Sequence, residues 1–149
     1  MRALIVAAAL LAGMYIASHV TVTMTPSLYH RVFYLVKGFP RAGKGDYVLF
    51  DFASPLIEGG RPVKGIKRIG CDEGEYLQEI AGDYFCGADY LGRAKERSLK
   101  GLPLRRFMYR GPVPHGEIFV VGDSADSFDS RYWGFLDRGK IIAKAFPIL

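Results

Sequence analysis

Between Arg2 and Arg31 the chain carries no Lys, Arg, Asp or Glu, and the first part of that interval, Ala3–Ser18 (ALIVAAALLAGMYIAS), is almost wholly aliphatic. A bilayer core is crossed by about 20 apolar helical residues, so a helix that continues through neutral His19 to about Val22 is long enough to span it. Arg2 and the amino terminus are the only positive charges before this stretch, which favours keeping that end in the cytoplasm and exporting the remainder of the chain. The alternative is a cleaved secretory signal, but the flank Ala17-Ser18-His19 matches a small-x-small cleavage site poorly. Residues 1–22 are therefore expected to form an uncleaved transmembrane anchor, with residues 23–149 as one exported domain.

The rest of the composition limits what that domain can be. At 149 residues the chain is about one domain long, which excludes a multidomain enzyme. Half of the residues are apolar and 23% charged, enough apolar matter for a packed core. The formal charge of +5 suits an anionic surface such as a lipid bilayer, but carries no nucleic-acid signature. Cys71 and Cys86 close a short polar loop, as a disulfide formed in an oxidising compartment would, and such a closure contributes on the order of 3 kcal/mol. Two independent thiols and a metal pair are the other readings. The histidines, His19, His30 and His115, stand at no ligand spacing from either cysteine, so no metal and no cofactor are expected.

Beyond residue 30 the pattern predicts short strands over Asp46–Phe52, Gly65–Ile69, Glu75–Ile80, Arg105–Arg110, Glu117–Gly122 and Lys140–Phe146, rich in β-branched and aromatic residues. Gly and Pro clusters (FPRAGKG, EGGRP, DEGE, RGPVPHGE, DRGK) separate them. One helix is expected in this part, over Ala88–Ser98, weakened by Gly92. The fold class is mainly β, with short antiparallel strands behind one N-terminal helix.

Three segments carry chemistry. Thr21–Leu28 (TVTMTPSL) reads as a strand whose hydroxyls at Thr21, Thr23, Thr25 and Ser27 share one face, since strand side chains repeat with period 2; taken by itself it is first of all a polar edge strand near the lipid headgroups. Lys64–Ile69 (KGIKRI) sets Lys67 in an apolar run, where burial lowers an amine from about 10.4 towards a working pH and makes it a base; a solvated surface lysine is the plain alternative. Val120–Phe135 (VVGDSADSFDSRYWGF) follows an apolar strand with Gly, Asp and Ser, as a capping turn would.

Taken together, these segments resemble the type I signal peptidases, the serine/lysine proteases. GDSADSFDSRYWG is similar to the family's last sequence box, and Ile66-Lys67-Arg68-Ile69 followed by Gly74-Glu75 to its lysine box. Lys44-Gly45-Asp46-Tyr47-Val48 resembles the strand after the nucleophile, and the boxes occur in family order. The spacing is most similar to the TraF branch of conjugative-transfer peptidases, in which a Thr-x-Ser segment is followed at a distance by a Lys-Gly-x-Tyr-Val turn. Thr25-Pro26-Ser27 matches that pattern, with Phe33 or Tyr34 as its later aromatic, whereas Tyr29 and Arg31 stand where that branch usually has Pro and Gly. The other alignment sets Thr23-Met24-Thr25-Pro26-Ser27-Leu28 against the general motif Ser-Met-x-Pro-Thr-Leu and makes Thr23 the nucleophile. Ser27 is preferred, because a primary hydroxyl is less hindered.

The resemblance implies that Ser27 is the nucleophile and neutral Lys67 its general base. The oxyanion would be held by the Ser27 N–H and the Thr25 hydroxyl, and Ser127 would orient the lysine. Asp123, Asp129 and Arg131 are expected to hold the box structurally, Asp129 and Arg131 as an ion pair. The implied substrate is a membrane-bound precursor bound as an extended peptide, a conjugative pilin or an exported preprotein. The implied location is the bacterial inner membrane, single-pass, with the catalytic domain on the periplasmic side. Two readings compete: a Ser-His-Asp hydrolase using His115, although PVPHG reads as a turn, and a non-catalytic membrane-anchored subunit of a secretion apparatus.

Overall fold

The charge-free interval divides into two kinds of structure in the computed structural model, which describes residues 1–38, 41–53 and 60–149. Helix α1 (Arg2–His19) is long and apolar enough to cross a membrane, is compatible with a membrane anchor, and has no buried residue. It ends three residues before the expected Val22. Val20–Val22 instead form strand β1, because these residues, β-branched throughout, pair with the next apolar run, Val32–Lys37 (β2), in the register Val20↔Tyr34 to Val22↔Val32. The helix is also tied to β2 by side chains. Tyr15 and Tyr34 share a hydroxyl hydrogen bond of 2.9 Å, and His19 stacks between the two rings.

The strand expected over Thr21–Leu28 therefore stops at Val22. Pro26 has no N–H to give a ladder and a fixed φ, so residues 25–29 turn. Consequently the four hydroxyls do not share one strand face.

β1 and β2 begin a sheet of seven strands, ordered β1-β2-β11-β3-β4-β9-β10, where β3 is Tyr47–Phe52, β4 Val63–Cys71, β9 Glu117–Val121, β10 Leu136–Asp137 and β11 Ile141–Pro147. A second sheet, β7-β6-β5-β8, is made of β5 (Tyr76–Ile80), β6 (Asp83–Cys86), β7 (Asp89–Arg93) and β8 (Arg110–Pro112). A short helix, α2 (Ser130–Trp133), precedes β10. All the pairings are antiparallel.

Strand β9 shows how the two sheets share a core. Its residues Ile118–Val121 are all buried, the mark of a strand covered on both faces. Phe119 and Val121 pack with Leu77, Tyr84 and Leu91 of the second sheet, while Ile118 and Val120 pack with Val48, Phe50 and Ile69. A third cluster, with Phe33, Leu35, Leu49, Ile66 and Ala143, lies under β2, β11 and β3.

A disulfide joins Cys71, at the end of β4, to Cys86 in β6, and so staples one sheet to the other. Both sulfurs are in the shared core. Reduction with a thiol is expected to lower the unfolding free energy by about 3 kcal/mol, read from denaturant titrations with and without reductant. A shift of a few tenths would refute this.

Four expected strands appear with small shifts of their ends, at β3, β4, β5 and β9, and Lys140–Phe146 appears as β11. Two further expectations fail. The helix over Ala88–Ser98 is instead strand β7 followed by loop, because Gly92 has φ +105° and pairs with Tyr84, and a Cβ there would lie 2.7 Å from an Arg131 guanidinium nitrogen. Of Arg105–Arg110 only Arg110 joins a strand. Here the Phe107 N–H bonds to the Arg131 carbonyl and the Tyr109 carbonyl accepts from Glu79, so the segment's hydrogen bonds are divided between two neighbours and make no single ladder. Strands β2, β6, β7, β8 and β10 were not expected from the local pattern. Two of the expected turn clusters, FPRAGKG and EGGRP, fall in part on residues 39–40 and 58–59, outside the described residues.

Candidate active site

Lys67 sits near the middle of β4, opposite Val48 of β3, and only 8% of it is exposed. Its ammonium donates a 2.8 Å hydrogen bond to the Ser127 hydroxyl, itself buried. Removal from water disfavours the charged amine and pushes its pKa down to about 8; the negative charges of Asp129 and Asp123 pull it back up, and Arg131 pushes it down. At that value about a tenth of the amines are neutral at pH 7 and about half at pH 8, where an ordinary lysine is almost wholly charged, so a proton acceptor is available.

The loop after β9 brings Ser127 to the lysine. Asp129 and Arg131 fix the loop's shape: the Arg131 Nε and Nη2 bonds to the two Asp129 oxygens are 2.8 and 2.7 Å, and both side chains are almost fully buried. Asp129 also caps α2 and accepts from the Gly122 N–H at 2.8 Å. The remaining guanidinium donors reach the Arg93 and Ser124 carbonyls, so this buried charge pair is satisfied on nearly every side.

The same loop holds the turn that carries Ser27. The Ser27 carbonyl accepts from the N–H groups of Asp123 (2.9 Å) and Ser124 (3.1 Å), and the Tyr29 N–H donates to the Asp123 carboxylate. Asp123 accepts as well from the Tyr47 hydroxyl at 3.0 Å and from Arg68. Leu28, between the two tethered residues, is buried in the core. Gly122 is where these parts meet. A Cβ built there would lie 2.1 Å from the Ser127 hydroxyl oxygen and 2.7 Å from the Ser27 carbonyl oxygen, so this position admits no side chain.

Within the turn, the Ser27 hydroxyl donates to Thr25 Oγ1 at 3.4 Å, a long bond. Among the described residues the Ser27 N–H has no acceptor, and Lys67 has Ser127 as its one hydrogen-bond partner. The 122–127 loop thus contacts both the Ser27 turn and Lys67, and Ser27 and Lys67 are not hydrogen-bonded to each other. Thr23 is held differently: its N–H and hydroxyl both bond to the Arg31 carbonyl, and the hydroxyl also to that of His30. A groove of about 520 Å³ runs from Ala17 and Ser18 at the end of α1 along β1, past Thr23 and Thr25, to Lys67, over Leu35, Leu49 and Ile142. His115, the base of the rival hydrolase, lies on an exposed turn beside Glu73. Gly122, Arg68 and Tyr47 were not singled out from sequence; the Lys-Arg and Gly-Asp dipeptides were the signal available for Arg68 and Gly122.

Comparison with known proteins gives this arrangement a family. A family model described as signal peptidase, peptidase S26, matches residues 1–149. Signal peptidase I of Buchnera aphidicola subsp. Acyrthosiphon pisum is 51% identical over 37 residues, 24% of this chain and 12% of that protein. Signal peptidase I of Aquifex aeolicus is 51% identical over 43 residues, 28% and 17% of the two chains. The probable signal peptidase I-2 of Synechocystis sp. is 29% identical over 106 residues, 69% of this chain and 46% of that one. The chain spans less than half the length of each of these relatives. Among solved structures, a signal peptidase I from Enterococcus faecalis V583 aligns over 72% of this chain and 98% of its own, with a TM-score of 0.44 and 21% identity. Since the family model runs the full length and does not rest on the glycine-aspartate box alone, the chain belongs to the signal peptidase family, peptidase S26.

Proposed function

We propose that the protein is a membrane-anchored serine endopeptidase that cleaves membrane-bound precursors, with Ser27 as nucleophile and Lys67 as general base, anchored by α1 (Arg2–His19) and acting through the domain that begins at β1. The observation that carries this reading is the buried, hydrogen-bonded Lys67 with its lowered pKa, reached from the same loop that grips the Ser27 turn. In the reaction the Ser27 hydroxyl turns from Thr25 towards Lys67 and gives up its proton as the oxygen attacks the scissile carbonyl; such contacts tighten when substrate binds. The unpaired Ser27 N–H and the Thr25 hydroxyl take the oxyanion, a donor of this kind being worth about 2.7–4 kcal/mol in the transition state. Lys67 then returns the proton to the leaving amine, and water releases the acyl group from Ser27. Ser127 keeps the amine aimed, and Asp123, Asp129 and Arg131 keep the loop.

The substrate enters as an extended segment against the free edge of β1, and the groove from α1 to Lys67 reads small side chains. The finer reading is maturation of a conjugative pilin, supported by the separation of Ser27 from the Lys44–Asp46 turn, an interval that here accommodates β2. General removal of signal peptides from exported preproteins is the second reading, favoured by the names of the relatives. Either substrate places the domain on the periplasmic side of the inner membrane.

The test is precursor cleavage in membranes by wild-type, Ser27→Ala and Thr23→Ala chains of equal abundance. Ser27→Ala is expected to fall to background while Thr23→Ala keeps most of its activity. Full activity in Ser27→Ala sinks the assignment, loss in Thr23→Ala alone moves the nucleophile, and no cleavage by the wild-type chain favours a structural subunit. The mass of the product, shorter by one water or not, distinguishes cyclisation from hydrolysis.

A further inference from the structure

Ser127 also lines a second cleft, of about 400 Å³, that the mechanism leaves unused. One wall is the stacked pair Phe128 and Tyr132, the other the loop bearing Leu99 and Leu102, which are 81% and 62% exposed. Three cations, Lys95, Arg97 and Lys100, stand around it. Among the described residues lining it the one acid, Asp126, is paired with Lys95. Arg97 donates to the Gly101 carbonyl and shapes the loop, whereas Lys100 has no ion-pair partner among the described residues. The cleft is thus an apolar slot with uncompensated positive charge at its rim, beginning at the residue that touches Lys67.

The direction of the substrate is set by the two clefts. The groove beside β1 starts at Ala17 and Ser18, where α1 ends, so it takes the precursor residues nearest the membrane, those before the cut. Among the described residues, two clefts beside the 122–127 loop are open to the chain beyond the cut: in the one lined by Tyr29, Arg68, Arg93 and Arg131 every arginine is paired with a carboxylate, whereas the one at Ser127 keeps an apolar wall and unpaired positive charge. We propose that this cleft binds the segment downstream of the scissile bond and selects an acidic side chain in an extended, otherwise apolar stretch. The inference rests on the assignment of the site to Ser27 and Lys67. It adds a preference for the residues beyond the cut, which the groove beside β1 does not supply.

Binding and cleavage, measured separately, test it. The probes are fluorescent peptides with Ala-Leu-Ala before the scissile bond and either Leu-Asp-Leu-Asp or Leu-Lys-Leu-Lys after it, offered to the full chain in detergent micelles. Bound by the Ser27→Ala chain, the acidic peptide is expected to have a Kd at least tenfold lower than the basic one, and Lys100→Glu in the same background is expected to abolish or reverse the difference. The wild-type chain is expected to show the same ratio in KM, with similar kcat. Equal affinities, or a preference that Lys100→Glu leaves unchanged, overturn the proposal. Discrimination in binding with no cleavage by the wild-type chain overturns the enzymatic reading and upholds the preference of the cleft; cleavage without discrimination does the opposite.

Discussion

Replacing Lys67 by Met is expected to cut precursor cleavage by a factor of about 10⁴ or more while making the protein more stable. The two effects have one origin. Burial pushes the Lys67 pKa from 10.5 to about 8, so below pH 8 the folded protein holds a desolvated charge that the unfolded chain leaves in water. That penalty is on the order of 3 kcal/mol at neutral pH. Between the folded value near 8 and the unfolded value near 10.5 the unfolded chain binds more protons, so stability rises with pH across this window and the penalty is gone above it. Methionine removes the charge at every pH. The melting temperature of Lys67→Met should therefore exceed that of the wild type at pH 7, by less than the full penalty because Ser127 loses its partner, and the gap should close as pH rises through 8 to 10.5. In the wild type kcat/KM should climb with pH as the amine is deprotonated and level off above about 8. A profile that is flat between pH 6 and 9, or retained activity in Lys67→Met, would show that another group takes the proton.

The largest loss of stability is expected from Asp129→Ala. The substitution leaves the Arg131 guanidinium charged and 2% exposed with no carboxylate, strips the Gly122 N–H of its acceptor and uncaps α2. Breaking a buried pair from one side costs about 3–5 kcal/mol, a fall of roughly 10–20 °C in Tm for a domain of this size. Removing the stranded charge as well, in Asp129→Ala with Arg131→Met, should recover part of that loss, because the uncompensated cation is the main penalty. A thermal melt within about 3 °C of wild type for the single variant would mean that water or another acid satisfies Arg131.

The parts of the fold that could be read from sequence were those whose apolar residues face a core directly. β3, β9 and β11 are runs of Val, Ile, Phe and Ala that local pattern suffices to identify, and the lysine in β4 stood out because Ile66 and Ile69 flank it. The elements that escaped were decided by partners distant in sequence. Ala88–Ser98 looked helical because Ala, Leu, Lys and Glu favour helices, yet pairing with β6 and the space that Arg131 requires beside Gly92 set it in a strand. Thr21–Leu28 looked extended because hydroxyls alternate along it, and Pro26 broke the alternation. The candidate site was legible in its chemistry and not in its assembly. Ser27, Lys67 and Ser127 could be named from residue type and resemblance, but that the Ser27 carbonyl is gripped by two N–H groups of the 122–124 loop is a property of tertiary contact alone.

Gly122 has a bearing on the order in which the proposed site can be assembled. It meets the Ser27 carbonyl of a turn near the start of the chain and Ser127 of a loop in the last quarter, and Ser127 in turn meets Lys67 of β4, so no segment that stops short of Ser127 contains them all. Their separation in sequence makes these contacts long-range ones, whose loop-closure entropy must be overcome before they form. On the proposed assignment, a chain still being synthesised holds no complete Ser27, Lys67 and Ser127 set until its last quarter has been added.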